Sequence, residues 1–208
     1  MSKIKLTKGE LKRQRDALKR YERYLPILQL KKQQLQMEIL RQTALLEQKR
    51  SAERERRGNL AVWAGLLTDP GVDIGPAITP RAVIAQTQSV AGITIPVFDR
   101  VDIPAAERDL FLTPLWLDAG IEALQMLVSL REEIALIGEG IRILRYELRI
   151  TTQRVNLFEK VKIPEAMETI RQIKIFLGDQ MANAVGRSKI AKRKIEEAMG
   201  VEALEAVL

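Results

Sequence analysis

The sequence contains no cysteine and no histidine. Without cysteine there is no disulfide framework and no thiolate metal site. Without histidine, the commonest general base and the commonest metal ligand are both missing. Aromatic residues are only 4% of the 208 positions, which favours aliphatic seams on long helices over a compact aromatic core. The longest uncharged run, residues 82–98, carries Gln, Thr, Ser, Gly and Pro and is too short and polar to span a bilayer as a helix. Met1 to Glu10 is polar and basic, so no signal peptide is expected and a soluble cytoplasmic protein is the default.

Charge is abundant but uneven. Residues 1–57 carry a net +10, residues 58–120 a net −4 and residues 121–208 a net +1. The last segment holds a basic cluster at Arg187, Lys189, Lys192, Arg193 and Lys194, and the first begins with Lys5, Lys8 and Lys12. Basic ends around an acidic middle imply different partners at different heights.

Two long helices are predicted. Thr7 and Glu10 fit a reciprocal capping box. Behind them Leu11, Leu18, Leu25, Ile39 and Leu46 recur by sevens, with Tyr21, Leu28 and Leu35 in the companion position, as in a coiled-coil seam. Pro26 predicts a kink rather than a stop, and Gly58 a left-handed C-cap. The second helix is expected to start at Thr113-Pro114, Thr as N-cap and Pro at the first helical position. Its seam runs through Leu127, Leu130, Ile134, Ile137, Ile141, Leu144, Leu148, Thr151, Val155 and Phe158. At Pro164 the row slips by one residue, then resumes as Ile163, Met167, Ile170, Leu177, Met181, Ala184, Ala191, Ile195 and Ala198, read as a bend in one helix with a thinner, closer seam at its end.

Rises of 1.5 Å per residue give helices of about 75 and 125 Å. Neither apolar stripe can stay wet, so the two are expected to pair antiparallel, bringing both basic ends to one tip. Between them, Asp69-Pro70-Gly71, Gly75-Pro76, Thr79-Pro80 and Ile103-Pro104 read as turns. Val83 to Val90 and Ile93 to Val97 read as a β-hairpin turning at Ala91-Gly92, with Gly92 at positive φ, Ile95 within the second strand and Pro96 at an edge. Leu60 to Leu67 suggests a short helix with Trp63 under the hairpin. The fold class is therefore mainly α, a long antiparallel two-helix coiled coil (1–57 and 114–208) with a small hairpin-containing insertion (58–113).

Candidate chemistry is sparse. Gly138-Glu139-Gly140 lies inside the strongest heptad run, with no preceding strand and no Gly-Lys-Ser/Thr ending, and reads as small residues for close helix contact rather than a phosphate loop. Glu132-Glu133 and Glu196-Glu197 are adjacent on a helix, diverge by about 100 degrees and read as surface charges. The basic clusters admit a scaffold binding RNA or an acidic membrane surface, although stacking aromatics are lacking. No catalytic, cofactor or metal residue is assigned.

Three stretches resemble the D subunit of V-type and archaeal-type ATP synthases in its bacterial form. They are Lys5-Leu6-Thr7-Lys8 with Tyr24-Leu25-Pro26-Ile27-Leu28 and Leu30-Lys31-Lys32; Ala91-Gly92-Ile93 to Ile95-Pro96; and Thr152-Gln153-Arg154-Val155-Asn156-Leu157-Phe158-Glu159 followed by Ile163-Pro164. Eukaryotic members carry Asn-Ala-Leu-Glu where this chain has Asn156-Leu157-Phe158-Glu159, and lack a proline matching Pro26. The resemblance implies a non-catalytic central-stalk rotor component of a proton- or sodium-translocating rotary ATPase, peripheral to the membrane. It implies paired termini inside a ring of catalytic and non-catalytic nucleotide-binding subunits, and a lower part meeting the stalk's F subunit and the membrane-rotor adaptor. Nucleic acid and direct membrane insertion are not expected.

Overall fold

The computed structural model describes residues 5–68, 74–104 and 114–205. Helix α1 spans Lys8–Ala61, a 3-10 turn covers Ala64–Thr68, and a one-turn helix α2 covers Gly75–Ile78. Strands β1 (Ala82–Val90) and β2 (Ile93–Asp102) follow, then α3 (Leu117–Leu157), a π turn (Phe158–Lys162) and α4 (Ile163–Glu205). The fold is mainly α, with one two-stranded antiparallel sheet among the described residues. It divides into two compact units, Met1–Leu28 with Arg154–Leu208, and Gln29–Gln153.

In the unit Gln29–Gln153, α1 and α3 run antiparallel. Leu35 packs with Leu144, and Lys49 Nζ meets Glu133 Oε1 at 2.7 Å, so advancing along α1 means retreating along α3. Seam residues Leu130, Ile137, Ile141 and Leu144 are buried, while Leu127, Ile134 and Leu148 are half-buried. Glu133, expected as a plain surface charge, instead ties α3 to α1.

The hairpin closes this core. Ile93 and Ile95 of β2 bury with Leu35 and Leu144, four aliphatic side chains contributing about 6–12 kcal/mol gross before ordering entropy is subtracted. Ala91 (φ 51°) and Gly92 (φ 76°) both lie at positive φ, the two-residue turn whose twist suits a hairpin. Val90 pairs with Ile93 and Thr87 with Pro96. Alternation from the turn makes Thr87–Pro96 a non-hydrogen-bonded pair, so Pro96 lacks an amide only where none is needed. β2 extends past the expected Val97 because a bulge absorbs Asp99: Ala85 faces Phe98 and Ile84 faces Arg100. Gly140 lies 3.9 Å from Ile95 Cβ and from the Pro96 carbonyl, measured from an added Cβ, whereas Gly138 faces open space. Gly140 thus admits the strand, not the other helix.

Several boundaries differ from expectation. Gly58 is not a left-handed cap, since only Ala91 and Gly92 have positive φ among the described residues; burial of Leu60 one half-turn on carries α1 to Ala61. Trp63 sits against Gly120 of α3, 3.2 Å from where its Cβ would stand, rather than under the hairpin. Gly75-Pro76 is not a turn but opens α2, with Pro at the start where its missing amide costs nothing. Thr113 and the Asp69-Pro70-Gly71 turn lie outside the described residues. α3 begins at Leu117, after a turn in which the Leu117 amide donates to the Pro114 carbonyl at 3.0 Å. Leu117 and Ile121 bury with Ala77 beside Trp116, and that cluster fixes the start.

In the unit Met1–Leu28 with Arg154–Leu208, the Tyr21 and Phe158 rings meet with centroids 5.2 Å apart. Leu11, Leu18, Leu25 and Leu28 are half-buried and Val155 is buried. Only half of the capping box forms: the Glu10 amide donates to Thr7 Oγ1 at 3.3 Å, while the Glu10 carboxylate accepts from Gln14 Nε2 at 2.8 Å. α1 passes through Pro26 without stopping.

The one-residue slip near Pro164 has a physical form. The Ile163 amide donates to the Phe158 carbonyl, five residues back, and both ends of the turn keep right-handed helical angles. A π turn is an α-helix with one residue inserted. The seam accordingly steps from Phe158 to Ile163 and continues through Ala166, Ile170, Ile173 and Leu177. Pro164 fits here because its ring would otherwise press on the carbonyl four residues back.

Candidate functional site: an unpartnered helix with a basic surround

The expected α4 seam holds through Ile163, Ile170 and Leu177 and fails beyond them. Ala166, Thr169, Ile170 and Ile173 are buried, and Thr169 Oγ1 donates to the Glu165 carbonyl at 2.8 Å. Met167, expected in the row, is 50% exposed; its place is taken by Ala166. Beyond Leu177, every residue from Gly178 to Glu197 is exposed. Met181, Ala184, Ala191 and Ile195, read as a closely packed seam, have no helix against them among the described residues.

The register explains why. Tyr21 stands level with Phe158, and α1 begins at Lys8, so α1 is exhausted near residue 171 of its partner. Residues 178–205 therefore run on for about 42 Å at 1.5 Å per residue. The same rise leaves Lys8 and Lys12 roughly 25–35 Å short of Lys189 along the axis. The two basic groups expected at one tip are not brought together. Lys5, Lys8 and Lys12 are exposed at the α1 end, and Arg187, Lys189, Lys192, Arg193 and Lys194 are exposed well beyond it.

This overhang is amphipathic. Leu177, Met181, Ala184, Val185, Ala191, Ile195 and Met199 fall at helical spacing on one stripe, and Met181, Val185, Ile195 and Met199 are all more than half exposed. A contiguous apolar stripe rimmed by charge marks an interaction surface. On its flanks Lys192 pairs with Glu196 at 3.7 Å and Arg193 with Glu197 at 3.4 Å. Both are exposed i,i+4 pairs, which contribute little. Arg187, Lys189 and Lys194 make no ion pair among the described residues.

No competing chemical centre appears among the described residues. Among the described residues no group of acidic side chains is placed to hold a metal, and no helix is long and apolar enough to cross a membrane. Glu139 is held below the usual carboxylate range by its hydrogen bond to Arg142, a local surface pair at 2.6 Å. Arg171 and then Gln172 donate to Glu168 and hold its carboxyl at about 2. An open groove of about 520 Å³ is lined by Lys49, Arg56, Gln125, Ser129 and Glu133, but Lys49 and Glu133 already satisfy each other. Gln153, Arg154, Asn156, Glu159 and Pro164 are all exposed; Thr151 and Val155 beside them are buried. Sequence reasoning missed Ala166, Thr169 and Ile173. The absence of a charged residue from the row 166, 170, 173, 177 was the signal available.

The family of ATP synthase D subunits matches residues 10–193. The D subunit of the V-type ATP synthase of Borreliella burgdorferi is 43% identical over 195 residues, covering 94% of this chain and 96% of the relative. The corresponding D subunits of Chlamydia caviae and Chlamydia muridarum are 35% and 32% identical, each covering 94% of this chain and 95% and 98% of their own length.

Proposed function

This chain belongs to the family of ATP synthase D subunits and is a central-stalk component of a V-type rotary ATPase; from that premise we propose that it performs no chemistry and transmits torque through its helices. The observation that supports this most directly is the distal α4, a helix with an apolar stripe, unpaired cations and no covering element among the described residues of its own chain. We assign that surface to the ring of catalytic and non-catalytic nucleotide-binding subunits. The apolar stripe would supply affinity, at about 1.5–3 kcal/mol per fully buried aliphatic side chain, and Arg187, Lys189 and Lys194 orientation and on-rate. The Lys5, Lys8 and Lys12 group would meet the ring at a second level.

The stalk's F subunit and the membrane-rotor adaptor are assigned to the remainder of the chain, which puts the protein peripheral to the membrane within the complex. Torque transfer requires stiffness, and the aliphatic seam supports it by coupling α1 to its antiparallel partner within each unit. The hairpin is assigned a contact or regulatory role. Its inner strand rests on α1 and α3, while β1 remains largely exposed.

Truncation after Gly186 tests the reading. The shortened chain is expected to keep its helical content and its binding to the F subunit, and to lose most of its affinity for the ring. Loss of F-subunit binding with ring binding intact would invert the assignment.

A further inference from the structure

The hairpin carries two free edges of opposite character. The β2 edge is blunted by Pro96 and by the exposed charges Asp99, Arg100 and Asp102, the usual protection against pairing with another chain. β1 has none: Ala82–Val90 contains no proline and no charge. Counting from the turn, Val90, Gln88 and Gln86 turn their backbone groups toward β2, so Ala85, Thr87 and Ser89 present theirs outward. No described residue donates to or accepts from those outward groups.

We propose that this edge is a self-association surface, and that its occupant is the β1 strand of a second copy of this chain. The sequence of the strand argues for a copy over any other strand, because it is nearly palindromic about Thr87. A two-fold axis there sets Thr87 opposite Thr87 of the copy. Gln86 then faces Gln88, Ala85 faces Ser89, and Ile84 faces Val90. Each pairing is favourable or neutral: Thr–Thr and Gln–Gln hydrogen bonds, small opposite small, and β-branched opposite apolar. No like charges meet. The same residue pairs occur on both sides of the axis, as an isologous interface requires. The product is a four-stranded antiparallel sheet, and sheets of more than two strands gain the independent stability that a hairpin lacks. Gln86 and Gln88 are exposed within a single chain, which leaves their side chains free to meet those of the copy across the edge. This association belongs to the free chain and does not depend on the rotor reading.

Sedimentation equilibrium of the purified full chain, across a hundredfold range of concentration, tests it. The weight-average mass is expected to rise from 23.6 kDa toward twice that value. Thr87→Pro removes an outward amide without touching the β1–β2 ladder, and Thr87→Lys sets two cations across the axis. Both are expected to weaken association at least tenfold while leaving the circular dichroism spectrum unchanged. The chain has no native cysteine, so Thr87→Cys and Ser89→Cys report the register. Copies of position 87 would stand about 5.5 Å apart in a hydrogen-bonded pair, and copies of position 89 about 14 Å apart at 3.4 Å per residue. A short thiol-to-thiol cross-linker should couple Thr87→Cys far faster. A wild-type chain that stays monomeric throughout, or equal cross-linking at both positions, overturns the proposal.

Discussion

Leu144→Ala and Met181→Ala together separate the seam from the interaction surface. Leu144 is 0% exposed and shares its cluster with Leu35 from α1 and with Ile93 and Ile95 from β2. Truncating it removes the transfer free energy of the lost carbons and leaves a cavity. Collapse of that cavity would require a helix and a hairpin to shift together, so relaxation is limited. Within the ~2–5 kcal/mol seen for such substitutions, about 3–4 kcal/mol is expected. For a chain of this size 1 kcal/mol moves the melting temperature by about 2–4 °C, so Leu144→Ala should melt roughly 6–16 °C lower. Met181 is 58% exposed with no covering helix among the described residues, and its truncation should cost under about 0.5 kcal/mol in the isolated chain. Thermal unfolding followed at the helical band, with urea titration as a second measure, gives both numbers. Equal melting temperatures would refute the assignment of Leu144 to a closed core and of Met181 to an open face. In the assembled ATPase the order should reverse for affinity, with Met181→Ala weakening ring binding more than Leu144→Ala.

Deleting Lys160, exposed within the π turn, should convert that turn to α-helix and leave stability nearly unchanged, since the inserted residue is already surplus to the seam. Deleting Arg149, also exposed but in regular helix, should throw everything beyond it out of register by about 100 degrees and lower the melting temperature sharply; similar tolerance of both deletions would show that the π turn is not a register device. The Glu168 carboxyl, held at about 2 by Arg171 first and Gln172 second, lies below its ordinary value of 4.5. Its depressed pKa contributes stability that is present above 4.5 and lost as the pH falls from there through about 2. Carbon-detected NMR titration should place its midpoint near 2, and Arg171→Gln should raise it toward 4.5; an unmoved midpoint would remove the pair as the cause.

By itself the sequence determined whatever depends on local chemistry and short-range periodicity. Heptad spacing identified both long helices and the members of the seam from Leu130 to Val155, because a stripe of aliphatic residues at that period has no other stable use. Ala91-Gly92 between two uncharged β-branched runs located the hairpin turn, since positive φ is costly for most residues. Even the inserted residue before Pro164 left its mark, as a slip between two apolar rows. Tertiary structure decided what each stripe faces. The rows at Ile173 and at Met181 look equally apolar along the chain, yet one is buried and the other wet, because helix α1 starts at Lys8 and does not extend alongside the second. Gly138 and Gly140 are indistinguishable in sequence, and only the approach of Ile95 and Pro96 gives the latter its role. Gly58 carried a strong stop signal that burial of Leu60 overrode. Periodicity records that a face is apolar; which surface covers it depends on residues far away in the chain.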